Sequence, residues 1–380
     1  MALFTIREMA QTYYKRLLTA GITIKGELIE AHLKQCVGFA RGLILGNAFK
    51  DLDVAYVLER YMEDTPNICT LFVALQQTGD VSDTLRHILD LAQGDIDDTG
   101  SAKIVTMSDV VDVTMKLYET GFDPGLDTPW YGFSDIFRVA RRQLTVVTGM
   151  GGAGKSTWLD NYLVHLARKH KWKFCFYSPE NYPVEFHIEK LASMIVGAPF
   201  NKGPKERMTP QLLSDAMAFI EEHFIFISSD DNATLDVVLN VFRKAIDTHA
   251  VQGCIIDPWN TIEHKRPKDQ NETDYICESL TKCLSFTRRK NIHLWIVAHP
   301  SKMRRGKDDK FPPPTPYDIS GSAHWANRPD NNITVHRTGK STAKVIVNKV
   351  RFRMYGRTGE QDFIFDLPTN TFKEQAGADL

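Results

Sequence analysis

The segment TGMGGAGKST, at 148–157, constrains the fold of this chain more than any other part of the sequence. It fits the pattern G-x-x-x-x-G-K-[ST], with Gly149, Gly154, Lys155 and Ser156 at the fixed positions. The apolar run QLTVVT precedes it, and STWLDNYLVHLARKH, with apolar residues at helical spacing, follows. A strand, a glycine-rich turn and a helix in this order bind phosphate through backbone N–H groups and the helix N-terminus. The sequence therefore predicts a phosphate-binding loop.

The motif assigns a nucleotide group to each of its side chains. We expect the loop to hold the phosphates of ATP or another nucleoside triphosphate, with Lys155 reaching the β- and γ-phosphates and Ser156 binding Mg²⁺. The predicted nucleotide-binding residues are Gly149, Met150, Gly151, Gly152, Ala153, Gly154, Lys155, Ser156 and Thr157. A glycine-rich turn without nucleotide is the alternative, and the flanking strand and helix argue against it.

Strands and helices alternate after residue 140, which is typical of an α/β domain with a mainly parallel sheet. The runs QLTVVT, FCFYS, FIFIS, GCIID and HLWIVAH are almost continuously apolar, as strands buried on both faces are. NNITVHR, AKVIVNKV and DFIFDL should extend the sheet with antiparallel hairpins.

Polar side chains follow three of these predicted strands. Asp257 ends GCIID and should bind Mg²⁺ directly or through water. Glu180 follows FCFYS, which we expect beside the strand before the loop, and could activate an attacking water. A solvated carboxylate before the next helix is the alternative for Glu180. His299 follows HLWIVA at the carboxyl edge, where it could sense the γ-phosphate or simply satisfy a loop carbonyl.

Positive charge concentrates near the end of a chain whose formal net charge is −1. Residues 299–357 contain 13 Lys and Arg against 4 Asp and Glu, whereas 1–120 contain 11 against 17. The densest stretch is NKVRFRMYGR, which carries Lys349, Arg351, Arg353 and Arg357 and no acidic residue. This pattern predicts either a negatively charged partner or a basic strand exposed to solvent.

Residues 1–100 are predicted to form a helical domain, because apolar residues recur every three or four positions in several segments. GDIDDTGSAK resembles a linker, and SDVVDVTMKLYETG predicts one isolated amphipathic helix, with Ser108 as its N-cap and Gly121 as its end. The predicted organisation is a helical domain at 1–100, a linker with one helix at 101–135, and the α/β domain at 136–380.

The cysteine spacing and the lack of long apolar runs indicate the cellular compartment in which the protein works. The six cysteines show neither disulfide-framework nor zinc-finger spacing, which favours a reducing cytosol. No run of about 18 apolar residues occurs, so we expect neither membrane spanning nor secretion. The expected location is the cytoplasm of a bacterium, or that of the host for a phage-encoded protein.

Six stretches together resemble the DnaB-like hexameric replicative DNA helicases, and most closely their Twinkle-like and phage primase-helicase branch. They occur in the order found in that family and cover about 107–370. The stretches are GLDTPWYGFSDIFRVARRQLTVVTGMGGAGKSTWLDNYLVHLA, FCFYSPEN, GCIIDPWN, IVAHPSK, PTPYDISGSAHWANRPDNNITVHR and VNKVRFRMYGRTG. The resemblance implies a RecA-like P-loop NTPase core acting as a motor at 136–380.

The resemblance also implies catalytic roles. Glu180 matches the carboxylate that activates water, Asp257 the Walker B acid, and His299 the polar residue that links the γ-phosphate to DNA-binding loops. Lys349 and Arg351 match a pair that completes the site of the next subunit as an arginine finger, so a ring is expected, as a hexamer. The helix before the motor would pack on the neighbouring subunit.

Single-stranded DNA is the implied partner of the loop at 301–329, with 5′ to 3′ translocation. The predicted DNA contacts are Lys302, Arg304, Arg305, Gly321, Ser322 and His324. Phosphate contacts predict salt-sensitive binding with little sequence preference. A merely flexible solvent loop is the alternative for 303–314, and Arg353 and Arg357 could contact DNA or acidic side chains.

The chain departs from this branch at its N-terminus, where we find no cysteine cluster and expect no primase domain. The helical domain could dock a primase, polymerase or loader. Two functions stay open: a replicative-type helicase, and a RecA-like DNA-binding ATPase acting in recombination, packaging or defence without processive unwinding.

Overall fold

The computed structural model describes residues 104–228, 233–266, 270–301, 303, 305 and 311–375. The chain divides into two units, Met1–Asp112 and Val113–Leu380, and the sheet lies in the second. The helices and linker predicted between 5 and 103 lie outside the described residues.

A nine-stranded sheet with the order β3-β2-β4-β5-β1-β6-β7-β8-β9 organises the second unit. β1 to β6 run parallel, and the remaining three strands add antiparallel hairpins, so the predicted mainly parallel α/β fold is confirmed. The strands are β1 Leu144–Thr148, β2 Phe174–Tyr177, β3 Phe224–Phe226, β4 Gly253–Ile256, β5 His293–Ala298, β6 Asn331–Arg337, β7 Thr342–Val350, β8 Gly359–Asp366 and β9 Thr371–Glu374.

Helices connect the parallel strands and cover both faces of the sheet. Thr209, Thr234 and Asn271 each cap a helix by accepting a backbone hydrogen bond in its first turn. The helices are α1 Met107–Thr120, α2 Tyr131–Ser134, α3 Lys155–His170, α4 Glu185–Val196, α5 Pro210–His223, α6 Leu235–His249, α7 Glu272–Lys290 and α8 His324–Asn327.

Helix α1 is the predicted isolated amphipathic helix. The Thr106 backbone N–H and hydroxyl both donate to Asp109 Oδ2 over 2.7 Å, so Thr106 rather than Ser108 precedes the helix. Gly121 ends it with φ 75°, a conformation that favours glycine. No residue of α1 is buried, and Tyr118 is 86% exposed. Among the described helices, none is long and apolar enough to cross a membrane.

The core lies on both faces of the parallel strands, because β1, β2, β4 and β5 are buried along their full length. One face carries an aromatic cluster in which Trp130 stacks on Trp158 of α3 at 5.5 Å. Trp130 and Phe133 come from the segment assigned to the linker by sequence, and they anchor that segment to the domain. The other face packs Leu280 and Phe242.

Candidate nucleotide site

The loop between β1 and α3 has the backbone that its glycines predict. Gly149 has φ 153°, and a Cβ there would lie 2.2 Å from the Val335 carbonyl oxygen. Gly154 is in the left-handed conformation, φ 90°, immediately before α3. Both positions therefore require glycine, for a close backbone approach and for a turn.

Lys155 lies inside this loop with only 5% of its surface exposed. Its Nζ donates to the carbonyl oxygens of Gly149, over 3.0 Å, and of Met150, over 3.1 Å. Burial lowers the pKa of Lys155, while the charges of Asp257 and Glu180 act in the opposite direction. The ammonium group is thus held at the loop, where it can meet phosphate oxygens.

Asp257 follows β4 and is also buried, at 7% exposure. Burial raises its pKa to about 6, the charges of Asp160 and Glu180 add to the rise, and a hydrogen bond from the Ser156 hydroxyl opposes it. A buried carboxylate beside a hydroxyl, with an excess of negative charge around it, suits a divalent cation. Ser156 and Asp257 therefore fit the Mg²⁺ role predicted for them.

Glu180 lies in a 3₁₀ turn, Pro179–Asn181, directly after β2. The expectation that β2 adjoins β1 is wrong, because β4 and β5 lie between them. Strand order depends on long-range pairing, which local sequence does not encode. Glu180 is exposed but lies close enough to act on three of these groups. Its negative charge adds to the rise in the pKa of Asp257, and it partly offsets the lowering of the pKa values of Lys155 and His299 by burial.

His299 follows β5 and connects the nucleotide site with the segment predicted to bind DNA. Burial lowers its pKa, and so does the charge of Lys155, while Glu180 opposes them. The next residue, Pro300, forms a β-bridge with Ile319, and Ser301 N–H donates to the Asp318 carbonyl oxygen over 2.7 Å. A cavity of about 220 Å³ beside His299 is also lined by Ser320.

The phosphate-binding loop lies at the edge of the sheet where the parallel strands end, and Lys349 and Arg351 lie at the opposite edge, where β1 and β6 begin. Thr145 of β1 pairs with Asn331 of β6, which pairs with Val350 of β7. At about 3.3 Å per residue, the strand from Thr145 to Gly149 covers about 13 Å. The two cations therefore lie at the start of β1, whereas the loop follows its end.

Contacts within the chain hold both cations. Lys349 Nζ donates to the carbonyl oxygens of Ala326 and Asn327 over 3.0 and 2.7 Å, and burial, with the charge of Arg351, lowers its pKa to about 8. Arg351 Nε forms an ion pair with Asp330 Oδ1 at 2.8 Å, and Nη2 donates to carbonyl oxygens at the end of α8. Sequence reasoning missed Asp330, which is fully buried and also accepts the Leu144 backbone N–H.

The structure describes four of the six predicted DNA contacts; Lys302 and Arg304 lie outside the described residues. The Arg305 guanidinium lies over the Phe311 ring, 5.2 Å from its centroid. Gly321 has φ 92°, and its carbonyl oxygen accepts the Thr273 hydroxyl. Ser322 Oγ accepts the His324 backbone N–H over 3.0 Å at the start of α8. These contacts fix the Gly-Ser turn next to α7 and α8.

Two further polar features near the loop were not predicted. The Arg337 guanidinium, at the end of β6, donates to the Gly152 carbonyl oxygen over 3.3 Å. Behind Ser156 and Asp257, the buried His187 and Asp160 pair at 3.1 Å between α4 and α3. Only the basic end of NNITVHR hinted at Arg337, and no spacing rule connects His187 with Asp160.

Comparison with known proteins identifies a relative with a similar sequence. A Twinkle homolog protein, chloroplastic/mitochondrial, from Arabidopsis thaliana is 32% identical over 266 residues, which is 67% of this chain and 37% of the relative. The resemblance to the DnaB-like proteins, and to their Twinkle-like branch, is confirmed. The chain spans little more than a third of that relative's length. No protein-family model matches the chain.

Solved structures show the same fold at lower sequence identity. A solved ATPase domain superposes with a TM-score of 0.60 and 14% identity, covering 72% of this chain and 100% of that one. The structure of a DnaB-like replicative helicase, described with its interactions with primase, has a TM-score of 0.59 and 13% identity over 97% of this chain and 94% of that one. The DnaB-like ATPase fold predicted from the sequence is thereby confirmed.

Proposed function

We propose that this chain is an ATP-hydrolysing DNA helicase of the replicative type, which translocates on single-stranded DNA as a ring. The observation that carries the proposal is the grouping of Lys155, Glu180, Asp257 and His299 at one edge of a DnaB-like sheet. The resemblance of the six sequence stretches to DnaB-like DNA helicases supports DNA as the substrate.

In the proposed ATP hydrolysis, the role of each of these side chains follows from its charge and its exposure. Lys155 offsets phosphate charge, and the backbone of Gly149–Thr157 cradles the phosphates. Ser156 and Asp257 would hold Mg²⁺, which supplies charge neutralisation when bound. Glu180, which is exposed and acts electrostatically on Lys155 and Asp257, would take a proton from the attacking water.

The position of Arg351 supports its action on a neighbouring subunit. It lies at the far edge of the sheet from the loop of its own chain, so it cannot complete that site. A head-to-tail ring brings the far edge of one subunit to the nucleotide edge of the next. Asp330 and the α8 carbonyl groups would then aim the guanidinium across the boundary.

Helix α1 supplies a second contact for such a ring, because its apolar side chains are exposed. Val111, Met115 and Tyr118 recur at helical spacing and form one stripe. In the proposed hexamer this stripe packs on the adjacent motor domain. We propose that residues 1–100, for which the sequence predicts a helical domain, dock a primase, polymerase or loader.

DNA would bind where the segments after β5 and before β6 meet. The β-bridge from Pro300 to Ile319 joins His299 to the Gly321–Ser322 turn, so a change at the γ-phosphate can move that turn. Arg305, with Lys302 and Arg304, adds positive charge for DNA phosphates. We propose 5′ to 3′ movement, in keeping with the resemblance.

The test is unwinding of a forked DNA duplex by the full-length protein with ATP and Mg²⁺. We expect strand separation by the wild type, and at least a hundredfold lower rates for Lys155→Ala and Glu180→Gln. Lys202→Ala, which changes an exposed lysine between α4 and α5, serves as the control and should unwind normally. Binding of single-stranded DNA with ATP turnover but no unwinding would instead favour a RecA-like DNA-binding ATPase.

A further inference from the structure

Three side chains with metal-binding atoms meet at the C-terminal end of α3, away from the nucleotide. Asp127 precedes the core strands in sequence, while His165 and His170 lie in the last turns of the helix. The helix starts at Lys155, and 15 residues at about 1.5 Å each separate His170 from it by about 22 Å. The cluster is therefore separate from the site proposed for Mg²⁺.

Both imidazoles point the same nitrogen at the same carboxylate oxygen. Asp127 Oδ1 lies 2.9 Å from His170 Nε2 and 3.5 Å from His165 Nε2, and all three atoms lie within 4.8 Å of one another. Ligand atoms of a tetrahedral zinc ion are about 3.3 Å apart, given bonds of about 2.0 Å. Small side-chain movements would therefore place all three atoms on one ion.

We propose that Asp127, His165 and His170 form a binding site for a divalent transition-metal ion, with zinc as the ion of choice. Two imidazole nitrogens and one carboxylate oxygen are ligands that suit zinc, and water would complete four-coordination. All three side chains are about three-quarters or more buried, which limits competition from solvent. They come from two separate segments, so the bound ion cross-links those segments.

The cross-link would be structural. Asp127 lies between Leu126, which bridges to Val139, and Thr128, whose hydroxyl group contacts Ser134. A bound ion would fasten the segment around Asp127 to α3, the helix that begins at the phosphate-binding loop. Because binding to the folded state stabilises it, zinc should raise the unfolding temperature.

Lys169 distinguishes a metal site from a purely ionic cluster. Its Nζ forms an ion pair with Asp127 Oδ2, and its side chain is 53% exposed. Its charge opposes a cation on the neighbouring oxygen, so Lys169→Gln should bind zinc several-fold more tightly. A cluster held only by charge would lose stability in this variant and gain no affinity for zinc.

The experiment titrates zinc into chelator-treated, dialysed full-length protein in competition with a chromophoric chelator. We expect one binding equivalent to be lost, or weakened at least tenfold, in Asp127→Asn, His165→Gln and His170→Gln. His249→Gln is the matched control, since His249 is an exposed histidine that also ends a helix, and it should bind like the wild type. Equal zinc binding by all variants, or none by the wild type, would overturn the proposal.

A second measurement needs no substitution. Diethylpyrocarbonate modification of the wild-type protein, read by mass spectrometry, should show His165 and His170 protected when zinc is present and His249 unaffected. For the variants of the titration experiment, circular dichroism without metal checks that they fold. Modification of His165 and His170 that zinc does not change would also overturn the proposal.

Discussion

At the residue scale, two glycines of the phosphate-binding loop offer a direct test of its geometry. A Cβ on Gly149 would meet the Val335 carbonyl oxygen at 2.2 Å, whereas a Cβ on Gly151 would meet nothing within 4 Å. Gly149→Ala must therefore push the loop away from β6. We expect it to weaken ATP binding at least tenfold, as measured with a fluorescent nucleotide.

Gly151→Ala is the matched control for this prediction, because the same methyl group is added to the same loop in open space. It should retain affinity within about threefold of the wild type. Similar losses in both variants would show that general flexibility, and not the contact with β6, determines the loop's function.

At the element scale, the apolar strands could be predicted, and their order could not. Strands β1, β2, β4 and β5 are buried on both faces, so their residues form the apolar runs by which the sequence reveals them. Strand β9, TFKE, was missed because an edge strand with polar residues lacks that pattern. The placement of Arg351 opposite the loop follows from strand pairing, which only the structure gives.

The candidate site likewise contains residues that could be predicted from the sequence and residues that could not. Lys155, Ser156 and Asp257 could be predicted because fixed motifs place them next to strand ends. Asp330 and the cluster at Asp127 bring together residues that are far apart in sequence, so no local pattern marks them.

The start of β5 gives a prediction about stability and pH. His293 is fully buried, with Nδ1 donating to the Ala140 carbonyl oxygen over 2.6 Å and Nε2 lying 2.8 Å from the Thr145 hydroxyl. Burial lowers its pKa from 6.5 to about 3. Below pH 6.5 the unfolded chain therefore binds a proton that the folded chain excludes, and the free energy of unfolding falls by up to about 1.4 kcal/mol per pH unit.

Urea unfolding between pH 7 and pH 5 measures this effect. His293→Gln should be less stable than the wild type at pH 7, and the difference should shrink as the pH falls. The exposed-histidine variant His249→Gln should keep the wild-type slope. A constant difference between the wild type and His293→Gln would mean that His293 does not resist protonation.

At the scale of the whole molecule, the nucleotide edge and the edge that carries Arg351 are complementary halves of one proposed site. The described α/β unit places the loop, Asp257 and Glu180 on one edge and Lys349 and Arg351 on the other. The exposed stripe on α1 adds a surface for the same assembly. Function in the proposed ring therefore depends on contacts that a single chain cannot make.

The central claim is tested most directly by mixing two variants that we expect to be inactive, Arg351→Ala and Glu180→Gln, and measuring DNA-stimulated ATP hydrolysis. Each protein retains one intact edge, so mixed rings should contain some complete sites. With subunit exchange verified by labelled chains, we expect a mixture to recover a clear fraction of wild-type activity, while each protein alone shows almost none. No recovery in verified mixed rings, or full activity of Arg351→Ala alone, would contradict the shared site.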